Sequence, residues 1–128
     1  MPGKEFRSFA TDVRSSIFAA IYDVPMSLLE EIQQKVIAGR YEFSKHAVDQ
    51  MIVRRINVQE IRNAIARGQI IEDYPDDKYG PTCLILGFAA ADKPLHIQCS
   101  YPSRPLVKII TVYEPDPAHW IDFAERRL

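Results

Sequence analysis

Asn57-Val58-Gln59-Glu60-Ile61-Arg62-Asn63-Ala64-Ile65-Ala66-Arg67-Gly68-Gln69-Ile70-Ile71-Glu72-Asp73-Tyr74 is the stretch where the chain changes its period. Asn57 and Glu60 form a capping box, in which the Asn side chain accepts from the backbone and Glu60 reaches back to it. The helix it opens is expected to run to Arg67, with Gly68 as the stop signal. After Gly68 the pattern alternates, as a strand does. The sequence therefore divides into helices before this point and strands after it.

Downstream, strands are expected at 69–74, 82–88, 95–101 and 106–113, separated by turns rich in Pro, Gly and Asp. Short connections of this kind favour antiparallel pairing. Upstream, Ser27-Leu28-Leu29-Glu30 is another capping box, and its helix should run to about Ala38 and close at Gly39. Tyr41-Glu42-Phe43 reads as a linker, and Ser44 caps a helix that ends near Arg54-Arg55. Asp116-Pro117-Ala118-His119-Trp120 reads as the start of a last short helix. The expected fold is α+β, with N-terminal helices packed on a roughly four-stranded antiparallel sheet.

Residues 1–25 differ in kind. Phe6, Phe9, Val13, Ile17 and Ile21 recur at helical spacing, and Tyr22-Asp23-Val24-Pro25 ends the run. They are expected to form an amphipathic arm that packs on its own core or on a second subunit, a possible homodimer contact. Residues 26–128 then make one domain, which suits a chain of 128 residues.

Composition narrows the function classes. A net charge of −1 removes the argument for a globally basic nucleic-acid binder, so any such role must rest on a local patch. From Arg40 to Arg67 basic residues prevail, and Glu72, Asp73, Asp76 and Asp77 follow as an acidic turn. Cys83 and Cys99 lie in apolar strand patterns without metal spacing, and are expected to be small buried hydrophobes. No signal peptide or membrane-spanning run is visible, and a cytoplasmic location without a membrane partner is expected.

The chemistry is expected on two elements. His46, Gln50 and Arg54 are spaced four apart, which stacks imidazole, amide and guanidinium on one helix face. His96, Gln98 and Ser100 alternate along one strand, and are expected on a face open to a ligand, away from the main core. Tyr101, Arg104, Lys108 and Tyr113 lie on or beside the neighbouring strand, where tyrosines stack bases and cations neutralise phosphate. For each of these residues, solvation or packing is the plain alternative. No residues suggest a metal or another cofactor.

These residues resemble a small bacterial family, the domain of unknown function 4258. The resemblance runs from Phe43-Ser44-Lys45-His46-Ala47 through Met51, Arg54 and Ile56. It continues at Gly68 and Ile70-Ile71-Glu72-Asp73-Tyr74-Pro75, at Cys83-Leu84-Ile85-Leu86-Gly87, at Pro94-Leu95-His96 and at Thr111-Val112-Tyr113-Glu114-Pro115-Asp116. The family looks like a relative of the RelE and BrnT toxins, which implies their helix-on-sheet architecture, metal-independent RNA cleavage and a small antitoxin partner of zinc-finger type. This chain departs from the pattern at Gln50, where the family has arginine, and at Arg55, where it usually has glycine.

The expectation is a toxin-type, metal-independent endoribonuclease. His46 and His96 would serve as base and acid, in either order, on a ribose 2′-hydroxyl and a leaving oxygen. Arg54, helped by Lys108, would stabilise the phosphorane-like transition state. Gln50, Tyr101, Arg104 and Tyr113 would hold the RNA. The rival from another class is a non-catalytic protein-interaction domain whose polar stripe is a docking surface.

Overall fold

The computed structural model describes residues 25–128. The expected arm and any dimer contact through it lie, apart from Pro25, outside the described residues. The elements run α1 Leu28–Ile37, β1 Tyr41–Phe43, α2 Lys45–Arg54, α3 Val58–Ala66, β2 Gln69–Tyr74, β3 Thr82–Ala89, β4 Lys93–Ser100, β5 Val107–Tyr113, β6 Trp120–Ile121 and β7 Glu125–Arg126.

Local chemistry sets the helix limits. Ser27 with Glu30, and Asn57 with Glu60, form complete capping boxes, and Ser44 accepts from the Ala47 amide. Gly39, at φ 79°, closes α1, with the Arg40 amide reaching back to the Lys35 carbonyl. The same closure at the end of α2 puts Arg55 at φ 56°, while Ile56 donates to the Met51 carbonyl. A side chain in that left-handed position costs about 1 kcal/mol relative to glycine.

The sheet has five strands in the order β1-β5-β4-β3-β2 and is mixed, which corrects the expectation of four antiparallel strands. β1, read from sequence as a linker, pairs parallel with β5, Tyr41 beside Val107 and Phe43 beside Ile109. Three residues between two helices carry no local strand signal; the pairing comes from a partner more than sixty positions away. The C-terminal helix expected from Asp116 is also absent. Asp116 closes a single turn, its carboxylate accepting from Ala118 and its carbonyl from His119 and Trp120. The chain then forms the β6–β7 hairpin, with Asp122 and Phe123 both left-handed at its tip.

The helices cover one face of the sheet. Ile32, Val36, Ala47, Ile61, Ala64 and Ile65 meet Cys83, Ile85, Leu95, Ile97, Cys99, Val107, Ile109 and Val112, all buried. The cysteines stand opposite each other on β3 and β4, free and fully buried, as small hydrophobes. α3 lies so close to β3 that a Cβ on Gly87 would stand 1.9 Å from the Ala64 carbonyl oxygen. Gly68 is held by the same crowding, since its Cβ would meet Ile85 at 2.6 Å. These glycines let the helix backbone rest on the sheet. Leu84 and Leu86 point to the other face yet are also buried, on the side where the β6–β7 hairpin folds back as a strap with Trp120 against His96, the cross-strand neighbour of Leu86.

Candidate functional site

The outer face of β4 presents His96, Gln98 and Ser100 in a row, and β5 sets Tyr113, Thr111 and Lys108 beside them. A bulge between Gln98 and Cys99 absorbs Ile110 and keeps Lys108 on this face. The shared face expected from the alternation is therefore present. Its two ends have different surroundings.

At one end His96 is wholly buried, which corrects the expectation that it faces open solvent. The Trp120 ring packs edge-on against it at 4.4 Å between centroids. One ring nitrogen, Nε2, lies 2.5 Å from the Phe123 carbonyl, and Nδ1 lies 3.0 Å from the Tyr113 hydroxyl. A neutral imidazole satisfies both contacts, Nε2–H donating to the carbonyl and Nδ1 accepting from Tyr113. Burial lowers the His96 pKa, and the nearby Arg126 adds to this, against opposing pulls from the Phe123 carbonyl and Glu72. Arg126 donates twice to Glu72, at 2.8 and 3.1 Å, and Tyr74 also donates to that carboxylate. Burial works to raise the Glu72 carboxyl, but these hydrogen bonds prevail and leave it lowered.

At the other end the face opens into a cleft of about 650 Å³ lined by Asp77, Thr82, Gln98, Tyr101, Arg104 and Lys108, among others. The Asp77 carboxylate accepts from the Thr82 hydroxyl at 2.7 Å, and Gln98 donates to Thr82 at 3.2 Å. Ser100 accepts from the Lys108 amide at 2.8 Å, leaving the Lys108 side chain to continue into the cleft. The loop carrying Arg104 is pinned from α1, because the Lys35 ammonium donates to the carbonyls of Pro102 and Arg104 at 2.8 and 2.5 Å. Neither the Lys108 ammonium nor the Arg104 guanidinium has a hydrogen-bonding or acidic partner among the described residues. Tyr101 donates to Asp73 at 2.5 Å, and this hydrogen bond pushes its pKa up to about 12. The phenol is thereby held in its neutral form.

The stripe on α2 lies apart from this cleft. His46 and Arg54 are exposed and line no part of it. Gln50 is committed to the fold: its Oε1 accepts from the Val112 amide at 3.0 Å. β1 stops at Phe43, so β5 loses its strand neighbour there, and Ser44 and Gln50 satisfy the exposed edge instead. Of the expected residues, the structure thus brings together Lys108, Arg104 and Tyr101, and separately His96 and Tyr113. Neither histidine lines this cleft: His46 is exposed on α2, and His96 is buried on β4 with both ring nitrogens engaged. The sequence reading missed Asp77 and Thr82; their signal was an acid-rich turn running into an alternating strand.

Among the described residues no group of three His, Cys, Asp or Glu side chains is placed to hold a metal ion, and no helix is long and apolar enough to cross a membrane. A family model described as "Domain of unknown function (DUF4258)" matches residues 43–114, more than half of the chain, and the chain belongs to that family. The match contains every cleft residue named above and ends before the strap. No curated protein and no solved structure matches the chain.

Proposed function

We propose that this member of the family binds single-stranded RNA in the cleft over β3, β4 and β5. The observation that carries the reading is a concave cleft, its lining mixed apolar and polar, with two cations, Lys108 and Arg104, that have no partner among the described residues. Cations held ready in a cleft favour phosphate, since no ion pair among the described residues must be broken first. Tyr79, 88% exposed at the rim, and Tyr101 offer flat faces for stacking, the usual means of holding unpaired bases. Asp77, Gln98 and Ser100 supply acceptors and donors suited to a ribose 2′-hydroxyl and base edges. The chain's net charge of −1 fits a short local contact better than the long basic track that a duplex requires.

This reading retains the RNA of the toxin-type ribonuclease expectation and assigns its contacts to Lys108, Arg104 and Tyr101. It omits cleavage by paired histidines, because both ring nitrogens of His96 are engaged beneath the strap. The test is the fluorescence polarisation of a labelled hexauridylate at two salt concentrations. Lys108→Ala should weaken binding about equally for all sequences and reduce the salt slope by about one. Equal binding by wild type and variant would overturn the reading.

A second reading, the protein-interaction domain, draws on a different surface. Ile52 and Val53 on α2 are 71% and 79% exposed, a pair of large apolar side chains suited to a protein partner such as a small antitoxin. On that reading Ile52→Asp abolishes partner binding and leaves RNA binding intact.

A further inference from the structure

The strap is joined to the sheet in an unusual way. Among the described residues, no backbone hydrogen bond links the β6–β7 hairpin to the five-stranded sheet; β6 pairs only with β7. Side-chain contacts carry the attachment. Trp120 lies on His96, His96 reaches the Phe123 carbonyl, Phe123 meets Phe88, and Arg126 grips Glu72. The hairpin tip places two consecutive non-glycine residues, Asp122 and Phe123, in the left-handed region, which L residues disfavour. Lifting a cover held this way would leave the hydrogen-bond ladder of the five-stranded sheet intact.

What lies beneath it is suited to an aromatic heterocycle. The Trp120 indole is flat and bicyclic, stands edge-on to the His96 imidazole, and has the Arg126 guanidinium over its face at 4.7 Å. The Tyr113 ring also stands edge-on to His96, 5.2 Å between centroids, and Leu84 and Leu86 supply a buried apolar floor on the neighbouring strand, Leu86 directly beside His96. His96 and Gln98 are two residues apart on one face of β4, about 7 Å along the strand, so this ground adjoins the cleft.

We propose that the ground beneath Trp120 is a second base-binding subsite of the same groove, occupied here by the strap's own indole and taken by a purine base when the strap is displaced. This rests on the cleft being the RNA site. The displaced Trp120 leaves the His96 and Tyr113 rings and the Leu84–Leu86 floor to the incoming base. The Glu72 carboxylate, released from Arg126, lies on β2, three strands from Lys108 on β5, so the backbone phosphates keep to the β5 side. The residues that form the strap fall outside the family match, whereas the ground they cover falls inside it.

The full chain has one tryptophan, which reports on the strap directly. Adenosine monophosphate, which fills the cleft alone, should bind without altering Trp120 emission. Hexaadenylate should bind with a red shift of that emission and greater quenching by acrylamide. Arg126→Ala, which removes the grip on Glu72, should tighten hexaadenylate about tenfold and leave adenosine monophosphate unchanged. Arg126→Gln, checked for folding by circular dichroism, guards against a variant that simply unfolds. Hexaadenylate binding that leaves Trp120 emission unchanged, with no gain from either variant, overturns the subsite and leaves the cleft standing. Failure of both ligands to bind overturns the cleft and the subsite together.

Discussion

The two ends of one strand face make an instructive pair. His96 and Lys108 both point away from the helices, on adjacent strands of the same sheet, yet one is fully buried with both nitrogens bonded and the other enters a cleft with no ionic partner among the described residues. Both lie on the outer face of β4 and β5, one on each side of the bulge at Gln98 and Cys99. The difference is made by a dozen residues after Glu114 that fold back over one end and leave the other open. A polar side chain's role is therefore set by what the rest of the chain lays over it, as much as by its own strand.

The comparison can be broken most severely at the covered end. Trp120→Ala should cost about 3 kcal/mol, because a buried indole is lost and the ground under it is wetted. Lys108→Ala, at the open end, should change stability by less than about 0.5 kcal/mol. Urea unfolding of the two variants side by side checks this, and similar losses would mean that the ends do not differ as described.

Acid should separate the ends next. The His96 pKa is lowered in the folded chain, mainly by burial, so the unfolded chain takes up more protons in the window below the ordinary value of 6.5. Stability from the neutral imidazole is present above 6.5 and is lost as pH falls below it, at up to about 1.4 kcal/mol per pH unit. His96→Gln should lower stability overall and flatten this dependence between pH 5 and 7. A slope in that variant equal to wild type would assign the titration to another group.

The smallest expected effect sharpens the account of α2, the helix that lies apart from the cleft. Arg55→Gly should stabilise the chain by about 1 kcal/mol, since its left-handed backbone suits glycine. An unchanged or lowered melting temperature would show that the Arg55 side chain contributes more than its strain costs.

Much of the fold was legible because it is local. Ser27, Ser44 and Asn57 act as caps within four residues of their targets, and the strand at 69–74 was read from alternation alone. β1 was not, because Tyr41 to Phe43 become a strand only through a parallel partner at Val107 to Ile109. The strap was missed for a related reason: its turn uses Asp122 and Phe123 in a conformation that usually announces itself by Asn or Gly. From that one miss followed the error at His96, whose side of the strand was read correctly and whose burial was not. Gln50 shows the same limit, since its helix position was evident but its hydrogen bond to Val112 joins residues 62 positions apart.

The most direct test of the central claim is amide chemical-shift mapping on the isotopically labelled full chain, titrated with adenosine monophosphate. The account expects the largest shifts at Gln98, Ser100, Tyr101 and Lys108, with His96, Trp120 and the α2 residues His46 and Arg54 nearly still. Largest shifts on α2, with those cleft amides unmoved, would contradict it and place the ligand on the helix stripe instead.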